Sequence, residues 1–305
     1  MAARDGGAAA LAVSSGQAAS TLAVLNIAGS GDNIVSSTGL YGGTWNLFAD
    51  TLKTVGIEGR FVDPGDPESF RRAPDARTRA NSIGGVIVDG GIFDWEKHAA
   101  RFPMLNQPDP SYHGAVWTEA TKPMGPVAYI VKARCTLLRD LGTALSPFNT
   151  FNFIQGLETL PLRMREHCRN AQAVADFFAA HRLVEKVIYP GMSPDDPTER
   201  TGRYLQGGRG GLVGFELKNG TDGKAVRFID SLKMIYHVAN IGDTRTLAIH
   251  PATSTHQQLS PGEQLATGVT PGYLRLSVGI ENIDDILADI GQALEATAAV
   301  KRVAA

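Results

Sequence analysis

The first 75 residues alternate short apolar strands with helices, and this rhythm restricts the fold more than any other feature of the chain. An apolar piece in AAALAV is followed by a Ser-Ser-Gly turn and then by leucines and alanines at helical spacing from about Gln17 to Ala28. GDNIVSS reads as a strand bounded by glycine turns, and TWNLFADTLKTVG as a helix that Gly56 is placed to cap. IEGRFVD is the next strand. Strands and helices in this order predict a parallel sheet covered by helices. Pro67 to Ala80 is helix-like and ought to feed another strand, yet the chain passes from Arg79-Ala80 to Asn81-Ser82 with no apolar run. GGVIVDGG then supplies a further buried strand.

Beyond it lies a long loop, KHAARFPMLNQPDPSYHG, of a length that is usually functional or disordered. Two strongly helical runs follow, the second holding either two helices or one bent at Pro161. From residue 184 the texture changes. Strands are expected at Val184–Tyr189, Gly211–Leu217, His237–Ile241 and Tyr273–Val278, with helices at Gly223–Leu232 and Ile283–Ala299. The expected division is therefore a large α/β domain over 1–165 and a smaller C-terminal α/β domain over 166–305.

Composition narrows the function. A net charge of −2 with no Lys/Arg run argues against nucleic acid. No apolar run reaches the ~18 residues of a membrane span. MAARDGGAAALAVSSG is not a secretory signal in pattern, because an acid and two glycines interrupt it. Cys135 and Cys168 are too few for a disulfide framework and have no metal-site spacing. A cytoplasmic protein without a metal is the expectation.

Four motifs carry candidate chemistry. SSGQAA puts a glycine turn at the mouth of a helix, where free amides and the helix dipole suit a phosphate. Gly16 and Gln17 are the candidates, and a plain cap by Ser14 or Ser15 is the alternative. Tyr41 stands in a glycine-rich loop at the carboxyl end of a strand, placed either to stack on a planar ligand or to pack under its own loop. His250 and His256 lack the spacing of metal ligands and read as satisfied loop or core histidines. Arg275 interrupts the alternating strand of Leu274, Leu276 and Val278, and its fork suits either a ligand carboxylate or a structural salt bridge.

Taken in order, SSGQAA, YGGT, SIGGVIVDGG, DPSYHG, SPFNTFNFIQGLETLPLRMREH, HVANIGDTRTLAIHPATSTHQQLS and RLSVGIENIDD resemble the pyridoxal-phosphate (PLP) enzymes of cysteine and methionine metabolism. The insertion FDWEKHAARFPMLNQPDPSYHG resembles the O-acetylhomoserine sulfhydrylase branch. The resemblance implies a fold-type I, aminotransferase-like subunit, mostly parallel in its large domain, assembled as a homotetramer. It implies Gly16 and Gln17 at the cofactor phosphate and Tyr41 stacked on the pyridine ring, its hydroxyl helping proton chemistry. Arg275 is implied on the substrate α-carboxylate with Thr246 beside it. The implied reaction is γ-replacement on O-acetyl-L-homoserine by sulfide or a small thiol; a cystathionine synthase or a γ-lyase would use the same residues.

One implied residue is missing. The family holds its cofactor on a lysine in a Ser-x-Thr-Lys stretch just before SIGG, and none of the nine lysines here has that context. The acid that pairs with the pyridine nitrogen and the Asn-Pro turn at the substrate carboxylate are absent too. Relatives carry several more strands and helices between the positions matching Ala80 and Asn81. Met1 matches an internal methionine of theirs, so the Tyr-x-Arg segment lent to a neighbouring subunit is not expected here. Either a stretch is omitted at the Ala80–Asn81 join, or the chain is a non-catalytic relative. Omission is the expectation, because deleting central strands would bare apolar faces in a domain only ~5–15 kcal/mol stable.

Overall fold

The computed structural model describes residues 6–81, 87–192 and 198–298, with 79–81 and 198–200 as backbone alone. The chain splits into two compact units, Met1–Asn152 and Phe153–Ala305.

The first unit runs β1 (Ala9–Leu11), α1 (Gly16–Leu25), β2 (Asn33–Ser37) and α2 (Gly42–Asn46). Winding continues past α2 to Val55 and stops at Gly56, whose φ of 81° only glycine adopts without strain. β3 (Glu58–Val62), α3 (Pro67–Arg72), β4 (Thr78–Asn81) and β5 (Ile87–Asp89) follow. Then come α4 (Pro103–Asn106), α5 (Trp117–Ala120), α6 (Ala128–Ala133) and α7 (Arg139–Leu141), and the unit ends within α8 (Pro147–Glu158). The strands make two sheets. β3-β2-β4 is parallel, as the rhythm predicts, whereas β5 runs antiparallel to β1 and buries only Ile87 of its three residues.

β4 corrects the expectation that no strand precedes Asn81. It forms without an apolar run because polar bonds hold it to β2. Thr78 is buried and its hydroxyl donates to Asn33 Oδ1, while the Asp75 amide donates back to Thr78 Oγ1 at 2.9 Å. Arg101 donates to the Thr78 carbonyl. The Ser-Ile-Gly-Gly stretch from Ser82 lies outside the described residues.

α1 and the turn that follows it serve two of this unit's apolar clusters. Ala19, Leu22 and Ala23 pack with Leu11, Ile87 and Ile130, while Val24 and Ala28 pack with Ile34, Phe48 and Leu52. The long loop is ordered rather than loose. Asp109 accepts from the Ser111 amide and hydroxyl and from Trp117 Nε1, and Trp117 packs with Ile27, Phe102 and Leu105.

The second unit holds α9 (Leu160–Ala180), β6 (Val184–Ile188), α10 (Thr198–Tyr204), β7 (Leu212–Leu217) and α11 (Asp222–Ser231). It continues with β8 (Tyr236–His237), β9 (Leu247–Ile249), α12 (Pro261–Ala266), β10 (Tyr273–Ser277) and α13 (Ile283–Ala298). The sheet order is β6-β7-β10-β9-β8, antiparallel except for β8 and β9. One apolar core joins α9, α11 and α13 to the sheet face that carries Val213, Phe215, Ala248, Leu274, Leu276 and Val278. Two expectations change in detail. The helical run around Pro161 is two helices, parted at Thr159 with proline in the first turn of α9. The strand expected over His237–Ile241 shrinks to Tyr236–His237, and Leu247–Ile249 takes the place beside β10 instead.

Candidate active site

The sequence-predicted phosphate seat assembles at the carboxyl end of β2. Ser15 is extended and its Oγ accepts from the Ala18 amide at 3.0 Å, so it caps α1. That bond leaves the first-turn amides of Gly16 and Gln17 without an acceptor among the described residues, which is the geometry of an anion site. Gln17 Oε1 accepts from Thr44 Oγ1 at 2.8 Å, tying the first turn of α1 to α2. Tyr41 precedes α2 and is 69% exposed, so it is not packed under its loop. A Cβ on Gly43 would stand 2.7 Å from Tyr41 Cε1 and 3.3 Å from Gln17 Nε2. Gly16, Gln17 and Tyr41 are thus brought together, and Gly43 and Thr44 join them. These last two were legible only as part of the YGGT motif.

Arg275 lies in the other unit, at the centre of its sheet on the face opposite the core. It pairs across with Gly214 on one side and Ile249 on the other. Its Nε is buried without a hydrogen-bond partner, and the guanidinium forms no ion pair among the described residues. Burial lowers its pKa. No structural salt bridge accounts for this cation, which leaves the fork free for a carboxylate. His256 is also held below its usual pKa, by burial and then by Arg275.

Thr246 is not beside Arg275. It shares the alternation of Ala248, which faces the core, so the two side chains belong to opposite faces of the sheet. The Thr246 hydroxyl is spent locally: it donates to Glu281 Oε2 at 2.8 Å and accepts from the Gly279 amide at 2.9 Å. Thr246 is fully buried and holds Glu281 and the turn after β10 in place. His250 is satisfied as the sequence suggested, its two ring nitrogens bonded to Thr253 Oγ1 and the Pro271 carbonyl. Among the described residues no cluster could hold a metal, and no helix is long and apolar enough to cross a membrane.

The sequence profile of a family described as Cys/Met metabolism PLP-dependent enzyme matches residues 1–81 and 79–295. The chain belongs to that family. An O-acetyl-L-homoserine sulfhydrylase of Leptospira meyeri is 43% identical to it over 97% of this chain and 82% of that protein. The homocysteine/cysteine synthase of Saccharomyces cerevisiae is 38% identical, covering 97% and 82%. In three dimensions the chain resembles an O-acetylhomoserine (thiol)-lyase of Campylobacter jejuni, with a TM-score of 0.87 at 32% identity over 96% of this chain and 84% of that one. These relatives establish the fold-type I PLP architecture. The family profile matches in two stretches that overlap at residues 79–81, within β4. The Leptospira alignment spans 365 positions and so exceeds the 305-residue chain by 60.

PLP fits part of what is present. The cradle at Gly16, Gln17 and Tyr41 suits its phosphate and ring, and the absent side chain of Gly43 is what lets that cradle close. The covalent anchor does not fit. The Campylobacter structure carries N′-pyridoxyl-lysine-5′-monophosphate. Of the nine lysines here, the eight described make no hydrogen bond or ion pair with Gly16, Gln17, Tyr41 or Thr44. The cradle is shaped for the group's phosphate and ring, and none of the eight described lysines is bonded to it.

Proposed function

We propose that this chain serves a PLP-dependent γ-replacement in which sulfide or a small thiol displaces acetate from O-acetyl-L-homoserine, giving homocysteine or methionine. The observation that carries this reading is the 43% identity to an O-acetyl-L-homoserine sulfhydrylase across 97% of the chain. PLP, when bound, supplies an electron sink for carbanion chemistry. The chain's own residues seat and orient. The Gly16 and Gln17 amides hold the phosphate, Tyr41 covers the ring and offers its hydroxyl to a proton, and Arg275 takes the α-carboxylate through two parallel hydrogen bonds. Thr246 acts at one remove, by fixing Glu281. A homotetramer in the cytoplasm, with small-molecule partners only, completes the proposal.

Intact mass spectrometry combined with a product assay tests it. Purified protein is weighed and then given PLP, O-acetylhomoserine and sulfide, with parallel reactions offering cysteine or no acceptor. A mass above 32.4 kDa together with homocysteine is the expected result, since the lysine-bearing stretch is then present. A mass of 32.4 kDa without any product overturns the enzyme reading and leaves a relative that seats ligands without turnover. Product with cysteine alone, or breakdown without an acceptor, would reassign the reaction.

A further inference from the structure

α1 ends at Leu25, about 15 Å from the phosphate seat at its start. At that far end, residues 103–111 and the α6–α7 segment line an open cavity of about 430 Å³. That is the size of a small-molecule site. Its walls include Leu25, Met104 and Leu137, which are apolar, and Asp109, Lys132 and Asp140, which are charged. Lys132 is the unusual member. It is only 6% exposed, and its Nζ makes a single long hydrogen bond of 3.3 Å to Asn26 Oδ1. An ammonium has three donors, so two N–H groups of this buried cation have no acceptor among the described residues. Burial lowers its pKa, with Asp109 opposing that shift. Asp109 accepts from Ser111 and Trp117 and makes no hydrogen bond to Lys132, so it balances the charge from a distance. Buried cations are ordinarily paired and fully hydrogen-bonded. Nothing in the γ-replacement uses this place.

We propose that the cavity between Leu25, Lys132 and Asp140 is a binding site for a free aliphatic α-amino acid. The ligand's carboxylate takes the spare donors of Lys132, its ammonium faces Asp109, whose Oδ2 accepts only from Trp117, with Asp140 beyond it paired to Arg139, and its side chain lies on Leu25, Met104 and Leu137. A simple carboxylate fits less well, because it brings no cation to face Asp109, the acid here that no Arg or Lys bonds; Asp140 is already paired with Arg139. A simple amine would meet the Lys132 cation.

Calorimetric titration of the purified chain with L-norleucine tests the site, with hexanoate and hexylamine as probes carrying one charge each. Norleucine is expected to saturate the chain, and each single-charge probe to bind at least about tenfold more weakly, the factor one charge-assisted hydrogen bond supplies. Lys132→Met removes the ammonium, and Met104→Trp fills the cavity from its rim. Each is expected to weaken norleucine at least about tenfold, while Arg275→Met, at the proposed substrate carboxylate, leaves this binding in place. Melting temperatures are read in parallel, and Met104→Trp decides the matter if Lys132→Met does not fold. Absence of saturation, hexanoate binding as tightly as norleucine, or a loss that follows Arg275→Met rather than the cavity variants would each overturn the site.

Discussion

Arg275 and Asp89 are both ionisable groups left without full partners, and they call for different tests. Arg275 keeps a buried Nε free on a sheet face, so its fork is worth most to a bidentate carboxylate. Arg275→Lys keeps the charge but loses the fork, and is expected to weaken O-acetylhomoserine binding at least about tenfold, read by titration with the substrate. Asp89 accepts from the Gly91 amide through Oδ1, while Oδ2 is buried with no hydrogen-bond partner. Burial raises its pKa above the ordinary ~3.9 of an aspartate. Between those two values the folded protein binds more protons than the unfolded one, so this group's contribution to stability is full below ~3.9 and is lost as pH rises through the folded pKa. Asp89→Asn is therefore expected to raise the melting temperature at neutral pH and to flatten its decline above pH ~4, measured by thermal scans across pH.

Local elements carry the proposed cofactor seat, and their positions in sequence and structure largely agree. The polar–glycine turn before α1 and the glycine after the α2 winding are short-range signals, since a cap or a left-handed residue acts within one turn of its own position. Contact between α1 and α2 is a different matter. Gln17 and Thr44 lie 27 residues apart, and only packing reveals their bond. Gly43→Ala probes that contact. The added methyl pushes on the exposed Tyr41 ring and the Gln17 amide rather than on backbone. Stability should hardly change, while PLP affinity falls about tenfold in a fluorescence titration, as expected if one hydrogen bond to the phosphate is misplaced. β4 and β9 show where local signals run out. β4 is held by Thr78, Asn33 and backbone pairing rather than by apolar alternation, and β9 is three residues long.

At the scale of the whole molecule the two units are built differently. The second has one continuous core, whereas the first divides its buried side chains among three clusters. Calorimetry is expected to resolve two transitions, the lower one belonging to the first unit. Trp45, Trp95 and Trp117 all lie in that unit, so tryptophan fluorescence should report the lower transition alone. Asp289 offers the converse check. Its carboxylate accepts from the backbone amides of Lys233, Met234 and Ile235 and from Gln292. Asp289→Ala strands those donors and should cost the second unit on the order of 3 kcal/mol, lowering only the upper transition. A single transition shared by both probes would contradict this picture.

Periodicity and turn chemistry were enough to indicate the α/β class, the order of the main elements, the capped glycine turn before α1 and the exceptional position of Arg275. Each depends on residues within a few positions of one another, or on alternation along one strand. The motif order was enough to indicate the family and to expose the missing lysine. Tertiary structure alone decided that β5 runs antiparallel to β1, that Thr246 faces away from Arg275 and spends its hydroxyl on Glu281, and that Lys132 is buried beside a cavity. Those facts depend on which distant segments meet and which face of a sheet is covered, and no local pattern encodes either.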